Sequence, residues 1–184
     1  MGRNLIVGVD GMIGSALYAE AKRQELDVVG TTRRVSGLDR IGWRVNGLAY
    51  LDLVRKTFAP PKADVAFICA GIVGYKHCEG NAESWRVNVD GTIALIDTLL
   101  EQGSFVVFMS SDAVEHMPST AYGLQKAAVE AFLRTRARRE SAYVRAGRVD
   151  GDCLAPLCNL LLLVGSEKLS GPHHFYPPGH GLGR

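Results

Sequence analysis

The 184-residue sequence lacks a long hydrophobic run. Its most apolar later window, LAPLCNLLLLVG (154–165), is 12 residues long and is interrupted by Pro156 and Asn159, against the ~20 apolar residues that a membrane helix needs. The window therefore reads as buried or interface-facing, and no membrane partner is expected. An excess of one charge is also missing. Lys and Arg total 21 against 19 Asp and Glu, a formal charge of +2, so nothing points to nucleic acid or an acidic surface as partner. The four cysteines, at 69, 78, 153 and 158, show no paired C-x-x-C spacing. That argues against a metal site and for reduced thiols. The opening MGRNLIVGVD runs straight into a strand-like segment without the features of a secretory leader, and a cytoplasmic location is expected.

What is present is ordinary globular composition, 47% hydrophobic and 22% charged, enough for one domain with a proper core. Short apolar runs alternate with helical periodicity. Strands are expected at 4–9, 27–31, 48–53, 63–71, 104–111 and 141–149, and helices at 12–24, 82–102 and 120–140. Buried strands separated by helices predict a doubly wound parallel sheet, because parallel neighbours need crossover connections. The expected division is a dinucleotide-binding Rossmann domain over 1–150 and a reduced C-terminal segment over 151–184. Residues 170–184, SGPHHFYPPGHGLGR, carry neither period and read as a loop-like tail. Its histidines at 173, 174 and 180 suit zinc or copper, but a proline-rich exposed tail is the simpler account and no metal is expected.

Within VGVDGMIGS (7–15), Gly8, Gly11 and Gly14 fall between the first strand and its helix. Glycines there let the backbone approach a pyrophosphate, and the helix N-terminus offers free N–H groups. The expected cradle comprises Gly8, Gly11, Met12, Ile13 and Gly14. After the second strand, TTRR (31–34) has no Asp or Glu for a ribose 2′-hydroxyl, whereas Arg33 and Arg34 suit a 2′-phosphate; the alternative is a solvated arginine pair. In AYGLQKAAVEAF (121–132), Tyr122 and Lys126 share a helical face, where the ammonium is expected to lower the phenol pKa. FMSSDAV (108–114) delivers Ser110, Ser111 and Asp112 to the carboxyl edge of the sheet. RTRARRE (134–140) reads as the solvated end of a helix.

Taken in order, GVDGMIG, YLDL, CAG, NVDGT, SSDAV and YGLQK resemble the extended short-chain dehydrogenase/reductase superfamily over residues 4–150, and most nearly its NAD(P)-dependent epimerase/dehydratase group, including dTDP-4-dehydrorhamnose reductases. The resemblance implies that Gly8, Gly11 and Gly14 hold the pyrophosphate, that Asp52 and Leu53 lie beside the adenine, and that Ala70 and Gly71 lie beside the adenosine ribose. It implies further that Asn88 braces the active-site loops beside the cofactor and that Ser111 is the catalytic serine. Tyr122 is then the acid/base, with Lys126 holding the nicotinamide ribose. The family is NAD(P)-dependent, and Arg33 and Arg34 make NADP the expected cofactor, with NAD as the alternative.

Two departures stand out. Only 11 positions separate Ser111 from Tyr122, fewer than extended members have, and only 34 residues follow Asp150 where those members carry a substrate lobe. Three readings follow: an oxidoreductase acting on a nucleotide-linked sugar or related small molecule, a non-catalytic dinucleotide-binding module, or an epimerase/dehydratase. The resembling 4,6-dehydratases have an acid after their S/T-D, where this chain has Ala113. A homodimer is expected through the helices at 82–102 and 120–140, with Ile93, Ile96, Leu100, Val129 and Leu133 as apolar surface.

Overall fold

The computed structural model describes residues 2–33, 48–55 and 59–176. Seven strands form one sheet: β1 (Asn4–Val7), β2 (Val28–Thr32), β3 (Leu48–Tyr50), β4 (Val65–Ile68), β5 (Phe105–Ser111), β6 (Ser141–Ala146) and β7 (Gly171–Phe175). Their spatial order is β3-β2-β1-β4-β5-β6-β7, and every pairing is parallel. The chain reverses direction across the sheet between β1 and β4, so a crevice opens at their carboxyl ends.

Alternate side chains feed two separate cores, as a sheet buried on both faces requires. Ile6, Val65, Phe67 and Val107 face one cluster. Leu5, Ala66, Ile68, Val106 and Phe108 face the other. The first cluster is closed by α1 (Met12–Arg23) and by the last helix, which carries Leu157, Cys158 and Leu161 inward. On the opposite face, a one-turn helix α2 (Tyr75–Cys78) leads into α3 (Ala82–Trp85), a π-helical stretch over Arg86–Gly91, and α4 (Thr92–Glu101). A short α5 (Ala113–His116) precedes α6 (Ala121–Arg136), and α7 (Gly151–Ser166) is that last helix.

The expected parallel α/β class and all six strands are present, with ends that differ from the expectation by up to three residues. Two expectations change. Gly171–Phe175 is a seventh parallel strand rather than loop, paired with β6 from Ala142↔Gly171 to Ala146↔Phe175. Backbone pairing does not require apolar alternation, and Pro172 is tolerated because an edge strand can spare an N–H. His173 and His174 belong to this strand, each with a local partner: Leu169 O at 2.8 Å and the Tyr176 hydroxyl at 3.1 Å; His180 lies outside the described residues. The second change concerns the apolar helix residues. Ile96, Val129 and Leu133 lie within the chain's own core, so of the five expected on the surface only Ile93 and Leu100 keep partial exposure.

No helix among the described residues is long and apolar enough to cross a membrane. Gly165 shows why α7 packs closely: a Cβ there would lie 2.6 Å from the Phe67 ring.

Candidate active site

The three glycines of the first turn have different reasons to be glycine. Gly8 has φ +92°, and a Cβ on it would lie 2.7 Å from the Ala70 backbone. A Cβ on Gly14 would strike the Gly8 carbonyl. Both are demanded by the protein's own packing. Gly11 is not: its backbone is extended (φ −89°, ψ 162°), and a Cβ there would meet only the Gly8 carbonyl oxygen, at an ordinary 3.5 Å. Its bareness keeps space open above the first turn of α1, whose N-terminus receives no side-chain cap. The N–H groups opening that helix are therefore available to an anion, in the positive field of the helix end. The residues present fit a pyrophosphate.

That space is a cleft of about 300 Å³. Gly8, Gly11, Met12 and Ile13 line one side, with Arg33, Asp52, Leu53, Ala70 and Gly71 on the others. Arg34 lies outside the described residues. Asp52 is fixed by accepting from the Val54 N–H at 3.0 Å. Asn88 holds the loop after β4: its Oδ1 accepts from Ile72 N at 2.7 Å, and its Nδ2 donates to Ile72 O at 2.8 Å and to Gln125 Oε1, also at 2.8 Å. One buried amide thus ties the loop beside the cleft to α6. Asn88 lies in the π-helical stretch, an irregularity that tends to occur at functional sites.

β5 ends at Ser111, and α6 begins ten residues later with Thr120 capping the Gly123 N–H. This brings Ser111, Tyr122 and Lys126 together. The Ser111 hydroxyl donates to Asp112 Oδ1 at 3.2 Å, accepts from Ala113 N at 3.2 Å, and acts electrostatically on the Tyr122 phenol. Lys126 Nζ donates to Met109 O at 2.7 Å and lies 4.6 Å from the Phe108 ring centre and 5.7 Å from that of Tyr122. It also acts electrostatically on the cleft-lining Cys69.

The expected lowering of the phenol is not found. Burial pushes Tyr122 up to about 12, with the Ser111 hydroxyl opposing it. Burial also lowers Lys126 to about 8. The reason is desolvation: both groups sit where a charge is poorly hydrated, and the ammonium is engaged by the Met109 carbonyl. Tyr122 is accordingly a neutral phenol at physiological pH, one that keeps its proton against water and yields it only to a stronger base such as an alkoxide.

The sequence profile of the NAD-dependent epimerase/dehydratase family matches residues 4–149. The chain belongs to this family. That makes it an NAD(P)-dependent enzyme of the short-chain dehydrogenase/reductase type, in a group that comprises oxidoreductases and epimerases. No curated protein matches it. Among solved structures it is similar to serine dehydrogenase from Escherichia coli, at 18% identity and TM-score 0.78, over 97% of this chain and 99% of that one. It is similar to a dTDP-4-dehydrorhamnose reductase from Clostridium acetobutylicum at 20% identity and TM-score 0.75, over 96% and 75% of the two chains. A Bordetella bronchiseptica enzyme solved with NAD and UDP has 22% identity and TM-score 0.65, over 82% and 54%. At these identities the likeness is one of fold.

Sequence reasoning missed two groups in this family member. Glu130, fully buried on α6, accepts from Arg145 of β6 twice, at 2.9 and 2.6 Å, and from Ser110 Oγ at 2.6 Å. Arg145 also pairs with Glu115 of α5. Ser110, one of the strand-end candidates, is thereby a structural residue, and the network joins β5, β6, α5 and α6 behind the Ser111–Tyr122–Lys126 cluster. The local signals were Lys126 and Arg134, each four residues from Glu130 on one helical face, of which Arg134 Nη1 lies 3.5 Å from Glu130 Oε2. Asp10, between Gly8 and Gly11 of the glycine turn, is the second: its Oδ2 accepts from Thr32 Oγ1 at 2.5 Å, and both residues line the cleft.

Proposed function

We propose that this protein is an NADP-dependent oxidoreductase that moves hydride at a carbonyl or hydroxyl carbon of a nucleotide-linked sugar or related small molecule. The observation that carries the reading is a half-buried Tyr122 phenol with Ser111 and Lys126 beside it, where Lys126 also acts on Cys69 in the wall of the phosphate-fitting cleft. The dinucleotide would supply or take the hydride when bound. Tyr122 gives its proton to the developing alkoxide, and the Ser111 hydroxyl steadies the same oxygen. Lys126, anchored on Met109, orients the ribose beside it. The direct test is consumption of NADPH with a panel of nucleotide-linked 4-keto sugars and simple aldehydes. Failure on every member of the panel, by a protein that binds NADPH, favours the non-catalytic module.

NADP is favoured by Arg33, exposed on the cleft directly after β2. With Arg34 it offers charge-assisted donors to a 2′-phosphate, worth about ten-fold or more in affinity. Replacing Arg33 and Arg34 together by Ala is expected to remove that advantage and leave NAD binding intact. In calorimetry the preference of the unmodified protein should also shrink as salt rises. Equal affinities in the unmodified protein would overturn the assignment.

A homodimer through the helical segment 82–102 (α3, the π-helical stretch and α4) and α6 is part of the proposal. Its support is the apolar surface left after the core is filled: Leu124 is 49% exposed and Trp85 43%, with Ile93 and Leu100 partly exposed. Sedimentation at micromolar concentration should give a dimer, and Leu124→Glu a monomer; a monomeric unmodified protein refutes it. The four cysteines are all free thiols, which supports a reducing, cytoplasmic setting.

A further inference from the structure

The end of β2 is where a dinucleotide fold commonly places the carboxylate that receives the adenosine 2′-hydroxyl, and this chain has Thr31, Thr32 and Arg33 there. The carboxylate is nevertheless present, brought from the other wall. The glycine turn is pinned to β2 by two bonds, Gly8 N to Thr31 Oγ1 at 3.3 Å and Val9 N to Thr31 O at 3.1 Å. The next residue, Asp10, then receives the Thr32 hydroxyl at 2.5 Å. Asp10, Thr32 and Arg33 all line the dinucleotide-fitting cleft, and Asp10 is exposed there. An ionised carboxylate is an acceptor with about four lone-pair sites, so the Thr32 bond leaves it capacity to accept from a ligand hydroxyl.

We propose that Asp10 is the residue that discriminates between the two dinucleotides at the adenosine 2′ position, supplying from the glycine turn the carboxylate that β2 lacks. A 2′-hydroxyl donates to it. A 2′-phosphate has no proton to give in its ionised form and is repelled, while Arg33 attracts it. The site takes both dinucleotides, and their ratio measures Arg33 against Asp10. The inference rests on the dinucleotide reading of the cleft, but on neither catalysis nor the sign of the overall preference.

The test is calorimetry of NAD and NADP, without substrate, against the full-length protein, Asp10→Asn and the Arg33→Ala/Arg34→Ala pair. Asn keeps an oxygen for Thr32 and loses the charge. Asp10→Asn should weaken NAD about ten-fold and leave NADP unchanged or tighter, moving the ratio at least ten-fold toward NADP. Asp10→Ser should move it in the same direction, and thermal melting of the free variants reports whether each is folded. An equal change in both affinities, no change, or a ratio moving toward NAD overturns the proposal. A ratio that responds to Asp10→Asn but not to the arginine pair refutes the NADP assignment and leaves this one standing. If the unmodified protein binds neither dinucleotide, both fall.

Discussion

Tyr122→Phe is expected to reduce turnover by at least about a thousand-fold, within the range that a positioned proton donor contributes, while dinucleotide affinity stays within a few-fold. The ring remains to pack; only the phenol hydroxyl, on which Ser111 acts, is lost. Reduction of a carbonyl needs a proton at the oxygen as hydride reaches the carbon, and a phenol pushed up to about 12 is protonated throughout the neutral range. The reductive direction should therefore hold its rate as pH rises through neutrality. Oxidation of the alcohol needs the phenolate, so its rate should climb with pH toward that value. Steady-state assays in both directions, beside calorimetry of the dinucleotide, check this. A Phe variant with ordinary turnover removes Tyr122 from the chemistry; one that no longer binds the dinucleotide shows that its role is in binding.

Glu130→Ala should lower unfolding stability by about 3 kcal/mol, the cost of leaving one member of a buried pair without its partner. Glu130 is fully buried and takes both Arg145 donors and the Ser110 hydroxyl. Arg145 would keep Glu115, which places the loss at the low end of the usual range. Arg145→Lys should also destabilise, because an ammonium cannot reproduce the two-pronged contact. Replacing Glu130 and Arg145 together by Met should recover much of the stability, since an apolar pair of similar volume avoids burying charge. Urea unfolding of the three variants decides it. Near-wild-type stability for Glu130→Ala would mean that the pair contributes nothing beyond its packing.

The glycine turn is legible in the sequence because its chemistry is local: glycine spacing, a preceding apolar run and a following helical period all lie within residues 4–24. The same holds for Tyr122 and Lys126, one helical turn apart. What the sequence conceals depends on elements that meet only in three dimensions. Asp10 and Thr32 are 22 residues apart and Glu130 and Arg145 are 15 apart, distances at which no period operates. The π-helical stretch around Asn88 shares its apolar pattern with an ordinary helix. Tyr122 shows the remaining difficulty: spacing places an ammonium nearby, but the direction of a pKa depends on how much water both groups lose. β7 escapes notice because His173 and His174 give its backbone pairing no side-chain signature.

The sheet order has a consequence for how the chain comes together. β1 and β4 pair across a gap of about sixty residues, so the central ladder is the slow, entropically costly step. Once it exists, β5, β6 and β7 each dock on the strand that precedes them in the chain. A ribosome releasing the N-terminus first therefore presents every later strand to a finished neighbour, and the sheet grows at one margin in the order in which it is translated.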